Sequence, residues 1–380
     1  MPASFSFATA TEILFGRGEV AQAAPRVAAL GDTVLLVQGA TPARSDALAA
    51  ALAARGCRVT RFAVAQEPDM ARVEAGLAVA RAAGATVVVA LGGGAVIDAG
   101  KAIAALVPAT RPMLDHLEVV GQGLPLDHAP LPFVAIPTTA GTGAEVTRNA
   151  VIGVPAQGRK VSLRDIRMLP RLAIVDPALT DQCPRGVTLA SGLDAVTQVI
   201  EPFTSPRANR FTDALCRDAI PRGLAALIRL MQAEDSQARD DLAWVSLCGG
   251  LALANAGLGA VHGLAGPLGG LTGAAHGAIC GTLLPHVLRA NRRAVADPAR
   301  LDQVAAWIGA ALGVAPGMEV AAPALAAWAR AQGLPGLTGL GIDAAAQARA
   351  AQAAAASSSM KANPVVLSET DLTRIMQEAG

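Results

Sequence analysis

No C-x-x-C pair occurs in the chain; Cys57, Cys183, Cys216, Cys248 and Cys280 are scattered along it. That spacing indicates neither a disulfide framework nor a cysteine zinc site. It reads instead as small buried hydrophobes in a reducing compartment. Net charge is equally scarce: 31 Lys and Arg stand against 30 Asp and Glu, a balance of +1. Nothing in that balance calls for nucleic acid or an anionic membrane as partner. No apolar run approaches the ~20 residues of a membrane helix without glycine or charge interrupting it. The N-terminal stretch lacks the basic region and apolar core of a signal peptide, so a cytoplasmic protein is expected. No internal repeat is found. What the chain has in quantity is apolar residues, 52% against 16% charged over 380 residues. That is enough for a large core and two or three domains, and it excludes disorder.

Within this apolar background the glycines are grouped. Residues 85–90 (ATVVVA) suit a buried strand, and Gly92, Gly93 and Gly94 follow, with helix-forming residues from Ala95. Strand, glycine turn and helix start together aim backbone N–H groups and a positive helix end at a phosphate. A plain helix cap in an α/β fold reads the same way, because a glycine motif without context is a weak signal. Residues 130–137 (PLPFVAIP) form a second buried run, which leads into 138–147 (TTAGTGAEVT). Threonine hydroxyls and exposed N–H groups suit ribose and phosphate oxygens. Two such loops, each following a strand, point to a nucleotide site.

Strand and helix patterns alternate through the first half: helix over 20–30, strand over 33–38, helix over 46–55, strand over 57–63, helix over 69–83, and a last strand over 172–175. This alternation argues for a mainly parallel sheet covered by helices. Beyond about residue 180 strand patterns vanish, and helices are expected over 189–201, 213–232, 240–255, 301–313, 323–332 and 371–379. Residues 344–359 suit a helix or a loose surface segment. The boundary falls near Asp181, giving an α/β dinucleotide-binding domain over 1–180 and a helical metal and substrate domain over 181–380.

The helical half contains a second constellation. In residues 191–201 (SGLDAVTQVIE), Asp194 and Gln198 are four apart and leave one helix face. His262 lies in AVHGLAGPLGG and His276, fourteen residues on, in GAAHGAIC. One carboxylate and two imidazoles suit a divalent transition metal. On spacing alone, two histidines in glycine-rich turns read more readily as polar fillers than as ligands.

Taken in order, these motifs resemble the iron-containing (group III) alcohol dehydrogenase family, which belongs to the dehydroquinate synthase-like superfamily. LGGGAVIDAGKA at 91–102 is similar to the family's GGGSxxDxxK turn, and PTTAGTGAEVT at 137–147 to its PTTxGTGSEVT loop. Asp194, His262 and His276-Gly277 fall where its DAxxHxxE, H and HG segments lie, and SSMKANPVVLS resembles its NP-containing segment. The resemblance implies a Rossmann-like N-terminal domain and an all-α C-terminal domain. It implies NAD- or NADP-linked hydride transfer between a small alcohol and an aldehyde or ketone. Gly92, Gly93 and Gly94 would hold the pyrophosphate, with Asp98, Thr138, Thr139 and Thr142 along the ribose and nicotinamide and Lys160 nearby. Asp194, His262 and His276 would carry the catalytic metal, iron or zinc, with Gln198 as fourth ligand. A homodimer is implied as well.

Three departures qualify this. Gln198 stands in place of the family's first metal histidine. Gly266 stands where the family often has a further histidine. Gly39, after the first strand, replaces the aspartate of many NAD-preferring relatives and leaves NADP open. The alternatives are a metal-free reductase resembling maleylacetate reductase, a dehydroquinate-synthase-like lyase, and a nucleotide-binding regulatory protein with an impaired site.

Overall fold

A computed structural model describes residues 4–355 and 357–380. The first three residues of the N-terminal stretch, and Ala356 within 344–359, lie outside the described residues. The chain divides into two compact units. One is α/β, Thr9–Thr139 with Gly143–Thr180; the other is helical, Asp181–Gly380 with residues 4–8 and Ala140–Thr142.

The α/β unit runs β1 (Ile13–Phe15), α1 (Ala23–Ala28), β2 (Thr33–Gln38), α2 (Asp46–Ala53), β3 (Arg58–Ala63), α3 (Met70–Ala83), β4 (Val87–Gly92) and α4 (Gly94–Leu106). It continues with α5 (Met113–His116), β5 (Phe133–Pro137), β6 (Asn149–Val154), β7 (Arg159–Arg164) and β8 (Leu172–Val175). Six strands form one parallel sheet in the order β1-β8-β5-β4-β2-β3. β2 and β4 are buried along their whole length, which is why they read as unbroken apolar runs. Alternate residues serve opposite faces. Leu35, Val37, Val88 and Ala90 pack with α3 and α4, while Val34, Leu36, Val87 and Val89 pack with α1 and α2. α3 starts on Asp69, whose carboxylate accepts the Arg72 N–H, and stops at Gly84 in the left-handed region, φ +64°. β2 connects to β3 on one side and β4 to β5 on the other. The strand order therefore reverses between β2 and β4, the position at whose carboxyl ends ligands bind in open α/β sheets.

Two features differ from the sequence reading. The helix expected over 20–30 is a 3₁₀ turn, Glu19–Gln22, followed by the six-residue α1. β6 and β7 pair as an antiparallel hairpin outside the main sheet, and it carries Lys160.

Among the described residues the helical unit has nine helices and no strand. They are α6 (Arg185–Thr204), α7 (Arg210–Gln232), α8 (Ser236–Ala256), α9 (Ala260–Thr272), α10 (His276–Ala294), α11 (Ala299–Leu312), α12 (Met318–Ala331), α13 (Ala344–Ala354) and α14 (Glu369–Glu378). α6 is the central helix of the unit, buried almost continuously over 192–204 and sharing one apolar core with α7, α8 and α10. The fourteen residues from His262 to His276 are one helix, a turn and the start of another helix, as their spacing allows, and not two glycine-rich turns. No single described helix is long and apolar enough to cross a membrane.

Candidate functional site

The two loops anticipated from the sequence adjoin at the carboxyl ends of β4 and β5. Gly92 is the last residue of β4 and pairs in register with Pro137 at the end of β5, and its carbonyl accepts the Thr138 N–H at 3.0 Å. Gly93 caps α4 without any side-chain bond to the helix start; its carbonyl accepts the Val96 N–H at 2.9 Å, which leaves the N–H groups of Gly94 and Ala95 without a side-chain cap. A Cβ on Gly93 would stand 3.3 Å from Thr139 Oγ1, a tight contact that a side chain there could make only by shifting Thr139 by a few tenths of an ångström. Gly94 is the first helical residue. Asp98, one turn on, accepts the Val151 N–H of β6 at 3.2 Å. Thr142 belongs with the helical unit rather than with Thr138 and Thr139. The Lys160 ammonium pairs with Glu67.

Lys101, the last residue of the glycine motif, has a structural task that the sequence did not disclose. It is fully buried, and its ammonium donates to the carbonyls of Ala144, Thr147 and Asn149 at 2.6, 2.9 and 2.9 Å and to Thr147 Oγ1 at 2.9 Å. It therefore fastens the threonine loop to α4. Burial lowers its pKa to about 8, against the raising charges of Asp98 and Glu145. Burial likewise raises Glu145, in the same loop, to about 7.

In the helical unit Asp194, His262 and His276 converge. Asp194 projects from α6, His262 from the first turn of α9 and His276 from the first position of α10. Asp194 Oδ1 lies 3.3 Å from His262 Nε2 and 3.9 Å from His276 Nε2. It is buried without a hydrogen-bond partner, so its charge is compensated either by the facing imidazoles when protonated or by a cation held between them. Cys280, one turn after His276, joins the group, and the four ligand atoms all lie within 4.8 Å of one another. Gln198 sits on α6 one turn beyond Asp194, its Nε2 donating to the Gly141 carbonyl at 2.8 Å.

The convergence depends on close helix contact and on a fixed imidazole. A Cβ at Gly277 would stand 2.5 Å from the Ala190 carbonyl oxygen and 3.3 Å from Asp194 Cβ, so glycine is what allows the start of α10 to reach α6. Glu201, two turns beyond Asp194, uses both carboxylate oxygens on α9. One accepts the Val261 N–H at 2.8 Å, and the other lies 2.6 Å from His262 Nδ1. This holds the proton on Nδ1 and turns Nε2 toward Asp194, as carboxylates behind metal-binding histidines do. Asn363, of the NP segment, accepts the Ala260 N–H at 3.1 Å and exchanges bonds with Asn291 of α10. α9 and α10 are thereby tied together.

The electrostatics favour positive charge here. Burial by itself would depress both imidazoles. The proximity of Cys280 opposes it at both, together with Glu201 and Asp194 at His262 and with Asp194 at His276. His262 is raised well above its ordinary value and His276 to about 9. Burial would raise Asp194, but the facing imidazoles hold it below the usual carboxylate range. A carboxylate, two imidazoles and a thiol around an orphaned oxygen fit a divalent transition ion.

Glu201 and Cys280 were not singled out from the sequence as site residues. A signal existed for each: Glu201 stands seven residues after Asp194, and Cys280 four after His276, each on its partner's helix face.

Comparison with known proteins agrees with this architecture. The family model described as iron-containing alcohol dehydrogenase matches residues 10–177, and the one for the C-terminal region of that family matches 188–380. Alcohol dehydrogenase 4 of Saccharomyces cerevisiae (strain YJM789) is 37% identical over 260 residues, 67% of this chain and 66% of the yeast protein. The chain thus spans just under two thirds of that relative's length. 1,3-Propanediol dehydrogenase of Klebsiella pneumoniae is 34% identical over 324 residues, covering 83% and 81% of the two chains. The crystal structure of a 1,3-propanediol oxidoreductase superposes with a TM-score of 0.89 at 30% identity, covering 100% of both chains. The chain belongs to the iron-containing alcohol dehydrogenase family.

Proposed function

We propose that the protein is an NAD(P)-dependent, metal-dependent alcohol dehydrogenase or carbonyl reductase acting on small alcohols, aldehydes or ketones. The observation that carries this reading is the convergence of Asp194, His262 and His276 around a carboxylate oxygen with no hydrogen-bond partner. Relatives named 1,3-propanediol dehydrogenase and lactaldehyde reductase support the substrate class. When bound, the divalent ion supplies Lewis acidity toward the substrate oxygen and the nicotinamide takes or gives the hydride. Asp194, His262 and His276 would hold the ion, and Glu201 fixes the His262 tautomer. Gly92, Gly93 and Gly94 present the N–H groups of α4 to the pyrophosphate, with Thr138 and Thr139 beside them and Asp98 and Lys160 on the same unit. Lys101 keeps the threonine loop in place. No observation favours the metal-free, lyase or regulatory alternatives. We also assign the protein to the cytoplasm, which its five free cysteines suit, and expect a dimer on the family resemblance.

NADP is expected to be accepted alongside NAD, because a Cβ at Gly39, just after β2, would meet nothing within 4 Å. A scan of short alcohols with each cofactor tests both points. The expected result is alcohol-dependent reduction of NAD and NADP with kcat/KM values within about a hundredfold, or 2.7 kcal/mol. No turnover of any short alcohol or carbonyl with either cofactor overturns the function. A larger preference for NAD overturns only the reading of Gly39.

A further inference from the structure

We propose that Cys280 supplies the fourth protein ligand of the metal centre, in place of the residue at position 198, and that its thiolate turns the site toward zinc. The proposal rests on the metal reading above and extends it to a residue outside the Asp-plus-three-His pattern. Its starting point is the departure at Gln198. A neutral amide oxygen is a weak donor for a borderline ion, and the Gln198 amide is engaged at its nitrogen with Gly141. A site left with Asp194, His262 and His276 alone would be one protein ligand short.

Cys280 makes up the difference. It sits on α10 one turn after His276, so both side chains leave the same helix face. Its Sγ lies 3.8 Å from His262 Nε2 and 3.7 Å from His276 Nε2. An ion bonded to nitrogen or oxygen at ~2.0–2.1 Å and to sulfur at ~2.3 Å requires tetrahedral edges of about 3.3 Å between N or O atoms and about 3.6 Å from sulfur. The edges present are 3.3 and 3.9 Å from Asp194 Oδ1 to the imidazoles and 3.7–3.8 Å from the sulfur. Along these four edges the donors, from three helices, stand close to a ligand tetrahedron, Asp194 Oδ1 within it is buried without a hydrogen-bond partner, and the substrate oxygen would enter as a fifth ligand. Cys216 and Cys248 show the contrast. Both are buried among apolar side chains, and burial pushes Cys216 up and Cys248 up to about 12. Cys280 alone of the five keeps company with a carboxylate and two imidazoles. A thiolate is softer than the imidazole it replaces, which favours zinc over iron(II).

Cobalt(II) separates this proposal from the broader metal reading, because thiolate ligation adds a charge-transfer absorption in the near ultraviolet that nitrogen and oxygen ligands do not. Wild type, Cys280→Ser and Cys280→Ala are stripped with chelator, loaded with cobalt(II), and compared by absorption, bound-metal analysis and circular dichroism. The expected result is one cobalt per wild-type chain with the thiolate band. Both variants are expected to keep the fold, to lose the band and to bind zinc at least tenfold more weakly in chelator competition. Stoichiometric cobalt in wild type without the band, or with a band that persists in Cys280→Ser, overturns the role of Cys280 and leaves the metal reading standing. Failure of wild type to bind cobalt or zinc overturns both.

Discussion

At the scale of single residues, the site is organised by buried polar groups whose partners are specific. Lys101 shows how such a group differs from its sequence appearance. In the motif it reads as part of a phosphate turn, yet its ammonium has four protein acceptors and reaches no surface. Lys101→Met would take the ammonium away from these acceptors while preserving most of the side-chain volume, and of them the Ala144 carbonyl keeps a second donor, on Thr147. Each unsatisfied group costs about 1–3 kcal/mol, so the variant should lose about 3 kcal/mol or more. Urea denaturation, with cofactor affinity measured in parallel, checks this. A variant as stable as wild type would mean that the lysine does not hold the threonine loop. Glu201 works in the same manner on the metal side, where its two oxygens serve one backbone N–H and one imidazole at once.

At the scale of elements, glycine decides how closely helices and loops approach. Gly277→Ala places a methyl 2.5 Å from the Ala190 carbonyl oxygen, which forces α10 away from α6. His276 and Cys280 move with α10, whereas Asp194 stays on α6. Zinc retention under chelator should fall at least tenfold, with a stability loss of about 1–3 kcal/mol from overpacking. Retention equal to wild type would show that the α6–α10 contact does not set the site. The same use of glycine explains what was hard to read in the sequence. β2, α3, β4 and β8 were legible because their apolar runs are continuous or are punctuated by a cap and a stop. α9 and α10 also admit a reading as glycine-rich turns, because Gly263, Gly266, Gly269, Gly277 and Gly281 look like breakers. In the structure Gly263 and Gly281 are contact points, where a Cβ would stand 2.7 Å from Met360 and 2.6 Å from Leu193. Tertiary packing overrides local propensity there. The β6–β7 hairpin escaped notice because only alternate residues are buried in its strands, without the continuous burial of β2 and β4. Asp194, His262 and His276 were legible only as an ordered set of motifs. Cys280 had only its place four residues after His276 to mark it, a signal that carries weight once 276–294 is known to be a helix and the fold brings α6 and α9 to it.

At the scale of the whole molecule, each unit has its own core and its own chemistry. The α/β unit offers backbone N–H groups at a helix start beside a threonine loop. The helical unit offers a carboxylate, two imidazoles and a thiol in an apolar interior. The central claim is that the ion held by the second set makes the protein an alcohol dehydrogenase. Stepwise reconstitution tests it most directly. The purified protein is stripped with chelator and then given zinc(II) or, anaerobically, iron(II), with bound metal and alcohol-dependent NAD(P)H formation measured at each step. The account predicts that stripped protein retains its fold but is inactive, and that activity rises in proportion to bound metal and saturates near one ion per chain. Fully stripped protein turning over at the untreated rate would contradict it.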